Sequence, residues 1–147
     1  MRTTLAAAVV GVGLLLAGVP VLAHHSFSAA YDLQLPVALT GTITKVEWTN
    51  PHGWIFIDVK RPDGSVVNWG IETGAPTALA RRGVKKGVLA VGMVVEVRGY
   101  RAKDGSATAN GDDLRLPDGR SLLLAGSAGD APYAAKVRAA EKEGGDK

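Results

Sequence analysis

The chain contains no cysteine. Disulfides, thiolate metal sites, thiol nucleophiles and dithiol redox chemistry are therefore excluded. Charge of one sign is scarce as well. Seventeen basic residues against 14 acidic ones give a net charge of +3, too mild a balance to argue for a nucleic-acid partner. No GxGxxG or GxxxxGK[ST] run occurs beyond the apolar start of the chain, where GVGLLLAG belongs to a leader. Ser26 lies in no strained strand-to-helix turn, so a hydrolase reading is poor. No paired carboxylates occupy an acid/base setting. KDGSATANGDD reads as hairpin chemistry and lacks the regular oxygen ladder of a calcium loop. Histidine is rare too: there are three, His24, His25 and His52.

What is present begins with the leader. Arg2 supplies a positive start, Leu5 to Gly18 is an unbroken run of apolar and small residues, and Pro20 breaks it. Val21-Leu22-Ala23 then places small or aliphatic residues where signal peptidase reads them, which is the layout of a secretory signal peptide, residues 1–23. An uncleaved membrane anchor is the alternative, since Leu5 to Ala23 is just long enough to span a bilayer. Cleavage leaves one domain of ordinary size, periplasmic or secreted. Membrane attachment is expected only through a retained leader, and an envelope protein or a metal-delivery partner is the kind of contact such a protein would make. Arg81, Arg82, Lys85 and Lys86 form the one basic cluster, read as a solvated helix face before an anionic docking surface. Nothing in the sequence fixes the oligomeric state.

The domain proper, residues 24–126, reads as strands and turns. After an irregular opening to Pro36, Val37, Leu39, Gly41 and Ile43 alternate with polar partners. The phase then slips by one residue, and Val46 and Trp48 carry the apolar face onward. A slip inside a strand predicts a bulge, the device that bends a strand around a small barrel. Trp54 to Lys60 is a second strand, apolar on both faces, and a Pro62-Asp63-Gly64 turn joins it to a third, Val66 to Glu72. Pro76 opens a short helix, Thr77 to Arg82, which Gly83 ends. Val84 to Val91 reads equally as a helical turn or a loop. Met93 to Arg101, Ala107 to Leu116 and Ser121 to Ala125 complete the strands. The order predicts an all-β fold with one short helix, a five- to six-stranded OB-like barrel, with a small β-sandwich as the alternative. In the tail, residues 127–147, Asp130 is placed to cap a helix carrying Tyr133, Val137 and Ala140 on one face.

The histidines carry the chemistry. If His24 becomes the first residue, its α-amino group and its own Nδ1 can grip one ion in an unstrained six-membered ring. With an imidazole from elsewhere, such a nitrogen-rich set suits Cu(II) better than hard cations. The arrangement resembles the histidine brace of copper enzymes and copper carriers that begin with histidine. His52, in the loop TNPHGW stiffened by Pro51, is the third donor, with His25 beside it. Glu72, at the end of the third strand, and Asn50 are placed to orient an imidazole from the second rank. Alternatively, Glu72 is an exposed strand-end carboxylate, and His52 a turn residue bonding nearby backbone. Trp48, Trp54 and Trp69 lie in or beside three successive strands. Aromatics on a barrel face can stack on bases or sugars, although tryptophans in strands more often pack a core. Phe27 and Tyr31 are expected to pin the leading segment onto the barrel.

HHSFSAAYD, LTGTITKVEWTNPHGWIFIDV, NWGIETGAP, LARRG and VRGYRAKDGSATAN together resemble a family of small bacterial exported proteins known only as a domain of unknown function. The resemblance spans His24 to Gly126. Members usually have an acidic residue where Ala30 stands. It implies export and a compact β domain, and it transfers no catalytic residues. The reading is therefore an exported copper-binding protein that handles or delivers the ion, with a binding role ranked ahead of an enzymatic one. A metal-free envelope module for a glycan, peptide or partner protein ranks second, and a copper-dependent oxidoreductase last.

Overall fold

The computed structural model describes residues 27–125. The leader, His24, His25 and the tail helix expected after residue 126 lie outside them. Among the described residues the elements are a one-turn helix α1 (Phe27–Ala30), β1 (Tyr31–Glu47), β2 (Trp54–Lys60), β3 (Val66–Glu72), α2 (Pro76–Arg81), β4 (Val94–Ala102), β5 (Thr108–Arg115) and β6 (Ser121–Leu123). The protein is all-β, with two short helices where one was expected. Before Pro36 the chain is also more regular than expected: β1 begins at Tyr31, and Tyr31 pairs with Ala102 before Pro36 pairs with Tyr100. The four exposed or half-exposed residues between these two pairs bulge outward from the ladder, which is where a strand tolerates proline.

The strands lie in the order β3-β2-β1-β4-β5-β6, and β3 also pairs with β5. That last pairing is parallel, from Gly70↔Thr108 to Glu72↔Asn110. The pairings thus run β1–β2–β3–β5–β4 and back to β1, with α2 between β3 and β4. The expected OB-like barrel would need this order of pairings, and its shortest side, between β3 and β5, has three residue pairs. Curvature comes from bulges. In β1, Ile43 pairs with Ile57 and Lys45 with Phe56, so Thr44 is the extra residue. The sequence's phase slip marks this position. A second bulge lies in β5, where Arg98 pairs with Asp113 but Gly99 pairs with Gly111, leaving Asp112 as the extra residue.

Ile43, Ile55, Ile57, Ile71, Val95, Val97, Leu114 and Leu124 fill the interior. Helix α2 starts at Pro76, whose missing N–H costs nothing in a first turn, and closes at Gly83 with φ +86°. It buries Leu79 at the edge of the core, and the loop after it buries Val84 and Leu89. The segment from Val84 to Val91 is therefore a core-lining loop. Its regularity is limited to a single bridge, Lys86↔Leu89. Arg81, Arg82, Lys85 and Lys86 are exposed, and the Arg82 guanidinium donates to the carbonyl of Ala125. Among the described residues no helix is long and apolar enough to cross a membrane.

Candidate functional site

His52 stands in the loop between β1 and β2, after a cis Asn50–Pro51 peptide bond. The loop is fastened at both ends. Thr49 Oγ1 donates to the His52 carbonyl at 2.9 Å. Gly53 and the segment after β3 exchange backbone hydrogen bonds, Thr73 N–H to Gly53 O at 2.9 Å and Gly53 N–H to Gly74 O at 3.3 Å. Since β2 begins and β3 ends at this rim, with Trp54 opposite Glu72, the loop delivers the imidazole beside the Glu72 carboxylate. His52 Nδ1 hydrogen-bonds Glu72 Oε1. Tyr31, arriving at the start of β1, donates its hydroxyl to the other oxygen, Oε2. One carboxylate thus joins two groups that are far apart in sequence.

Burial decides how firmly this trio is held. The Glu72 side chain is 13% exposed and that of His52 39%, while Tyr31 is 6% exposed. Glu72 is therefore no exposed strand-end carboxylate, and the His52 ring bonds it through Nδ1. A carboxylate only accepts, so Nδ1 carries the proton, and in the neutral ring Nε2 is then the lone-pair nitrogen. Burial pushes the Tyr31 hydroxyl well above its usual range, and the hydrogen bond and charge of Glu72, with Asp104 beyond, add to the rise. Tyr31 stays a donor at any physiological pH.

The same rim holds the start of the domain. The Phe27 ring lies 5.6 Å from that of Tyr31 and edge-on to Tyr100 at 5.7 Å. Lys103 N–H donates to Ala30 O at 2.9 Å, and Lys103 Nζ to Ser28 O at 2.7 Å. Phe27 and Tyr31 thus pin the leading segment, as expected. Of the residues singled out in the sequence, His52 and Glu72 come together and Asn50 stays exposed in the same loop. His24 and His25 lie outside the described residues. Among the described residues no three His, Cys, Asp or Glu side chains are grouped to hold a metal ion.

The three tryptophans divide. Trp48 and Trp69 pack against the core, with the Arg101 guanidinium 5.7 Å from the Trp69 ring. Trp54 faces outward and stacks on Phe56, centroids 6.4 Å apart and planes at 22°. Both line an open groove of about 390 Å³ with Glu47, Asn68, Gly70, Ala107 and Thr108. Phe56 is absent from the residues singled out in the sequence, although a strand apolar on both faces was its signal.

Two further carboxylates, absent from the residues singled out in the sequence, lie in NGDD in the middle of β5, within the strand expected from Ala107 to Leu116. Asp112 is 1% exposed, and neither of its oxygens has a hydrogen-bond partner. Burial, and then the charge of Asp113, pushes its pKa up to about 6. Burial also raises Asp113, which Arg98 opposes. The 3.3 Å contact from Arg98 Nε to Asp113 Oδ1 is an ion pair without the alignment of a hydrogen bond.

No curated protein and no solved structure matches this chain. A family model does, over residues 12–111, which takes in α1, β1, the His52 loop, Glu72 and the first half of β5. The chain belongs to that family, a family of unknown function (DUF6152).

Proposed function

We propose that the protein is exported, loses its leader near Ala23, and binds a transition metal, copper before others, in the periplasm or outside the cell. His24 would supply its amine and ring nitrogen, His52 its Nε2, and His25 a further imidazole. The observation that carries this reading is the bond from His52 Nδ1 to Glu72, itself held by Tyr31. Imidazoles that ligate metals almost always donate their other nitrogen to a carboxylate, carbonyl or water, which fixes the tautomer and strengthens the ligand. Chain length supports the rest. His24 precedes Phe27 by three residues, so it lies within about 10 Å of that anchor by the reach of an extended chain, and Phe27 packs on the tyrosine that bonds Glu72. With no thiolate in the chain, an all-nitrogen set favours Cu(II). Its role would be to handle or deliver the ion.

Titration calorimetry with Cu(II) on protein beginning at His24 tests this. One ion per chain is expected. His52→Ala, and separately an extra glycine ahead of His24, should each weaken binding tenfold or more, about 1.4 kcal/mol. If both variants bind as tightly as the wild type, the reading is wrong.

A further inference from the structure

We infer that the groove on the outer face of β1, β2 and β3 is a binding site for a neutral carbohydrate chain, whose sugar rings stack on Trp54 and Phe56. This site stands apart from the metal reading and needs none of its histidines.

The groove is built by register. Phe56 pairs with Gly70 across β2 and β3 and with Lys45 across β1 and β2, while Gly70 pairs with Thr108 across β3 and β5. Directly opposite residues share a face, so one row across the sheet reads Lys45, Phe56, Gly70, Thr108. The row beside it holds Glu47, Trp54 and Glu72. Glycine in the middle of a strand weakens it unless something must come close. At Gly70 a Cβ would meet Phe56 Cε1 at 3.5 Å, Trp54 Cζ3 at 3.6 Å and Trp54 Cε3 at 3.7 Å, all ordinary contact. The two rings therefore lie over the buried Gly70 backbone, and no side chain of that residue stands between them and the groove. Two near-parallel rings left half-buried on an outer face are costly to leave in water.

Polar groups around the rings choose the ligand. Asn68 Nδ2 donates to Asp58 Oδ1 at 2.8 Å and to Thr44 Oγ1 at 3.0 Å. The amide is thereby fixed, and its carbonyl oxygen serves as an acceptor. Thr108 adds a hydroxyl and Glu47 a carboxylate. Fixed acceptors beside a flat aromatic floor match a molecule with apolar ring faces and hydroxyls around its edge. Charge argues against a nucleic acid. The acidic groups on this face, Glu47, Asp58 and Glu72, outnumber the cations Lys45 and Lys60, and Lys45 is ion-paired with Glu47 and lies 5.5 Å from the Phe56 ring. A phosphate chain would be repelled where it needs cations most. Strand addition by a peptide is disfavoured too, because β2 is paired on both sides and Gly70 N–H already donates to Ala107 O at 3.0 Å. The volume falls within the ~300–1,000 Å³ typical of small-ligand sites.

The test is an amide and indole NMR titration of the full mature chain, in EDTA, with chitotetraose, cellotetraose and maltotetraose, and with an eight-nucleotide oligothymidine for comparison. At least one sugar should shift the Trp54 indole and the Asn68 and Thr108 amides while Trp69 stays still. Trp54→Ala should weaken that sugar at least tenfold. Gly70→Val sets its Cβ at ordinary contact distance from both rings and adds bulk to a residue that lines the groove, so it should abolish binding while the protein keeps a cooperative thermal transition. Silence from all three sugars at millimolar concentration overturns the inference, as does binding that survives Gly70→Val. Shifts by the oligonucleotide alone would also overturn it, in favour of nucleic acid. Because EDTA removes copper, failure here leaves the metal reading untouched, and failure of that reading leaves this one standing.

Discussion

Gly99 approaches Asn110 so closely that a Cβ built on it would stand 2.0 Å from the Asn110 carbonyl oxygen and 3.2 Å from Gly111 Cα. The obstructing atoms are backbone, and they belong to the strand that carries the second bulge, one residue before Asp112 is squeezed out of register. No side-chain rotation can relieve such a clash. Gly99→Ala should therefore cost about 3 kcal/mol or more, at the upper end of overpacking effects. Urea unfolding of the two proteins checks this. A loss below ~1 kcal/mol would mean that β4 and β5 can part freely here.

Asp112 makes the same bulge sensitive to pH. Its folded pKa, raised from 3.8 to about 6, means that the native state holds the proton more tightly than the unfolded chain does. The sign follows from linkage: this residue contributes most below about pH 4, and the contribution is lost as pH rises through 6. A shift of two units corresponds to about 3 kcal/mol, an upper figure because part of the shift comes from the charge of the neighbouring Asp113. Asp112→Asn keeps the shape and removes the charge. It should stabilise the protein at pH 7.5 by about 1–3 kcal/mol and hardly at all at pH 4. The difference between the two unfolding curves across that range is the measurement, and a difference that stays flat with pH would refute the assignment.

At the rim, Glu72 is expected to set which nitrogen of His52 carries the proton. Glu72→Ala should convert the ring from the Nδ1–H form to a mixture, visible in its ¹⁵N shifts, and lower Cu(II) affinity by about 10- to 100-fold, the usual effect of losing such a partner. Tyr31→Phe, which leaves the carboxylate in place, should cost less affinity. It should still destabilise the fold by about 1 kcal/mol through the lost buried hydrogen bond. If Glu72→Ala leaves both the ring shifts and the affinity unchanged, the carboxylate does not act on the histidine in solution.

How much of this was legible in the sequence depended on whether the signal was local. The second and third strands, Trp54–Lys60 and Val66–Glu72, have the boundaries expected from alternation and the Pro62-Asp63-Gly64 turn. The bulge at Thr44 showed as a phase slip, because one extra residue moves every later side chain to the opposite face. The strand from Ala107 to Leu116 was legible, but the bulge at Asp112 was not, since Asn-Gly-Asp-Asp carries no apolar alternation to slip and the extra residue emerges only from pairing with Gly99 and Arg98. Glu72 could be suspected from its place at a strand end. Its burial could not, because that depends on Tyr31 arriving from 41 residues away. Likewise a strand apolar on both faces does not say which of its residues point outward, and only the register sets Phe56 beside Trp54 on the outer face.

The leading segment gives the last prediction. Phe27 packs on Tyr31 and Tyr100 and carries no ligand atom, so its influence on copper would come from holding the histidine pair near His52. Loosening such a tether lowers the effective concentration of one set of ligands at the other, without altering either set. Phe27→Ala should therefore reduce Cu(II) affinity several-fold while costing the domain only about 1 kcal/mol, as a half-buried ring at an edge would. Leu33→Ala, an exposed apolar residue in the same stretch, should change neither. If Phe27→Ala binds copper like the wild type while His52→Ala does not, His52 acts without the leading histidines, and the three-histidine site is refuted even though the protein binds the ion.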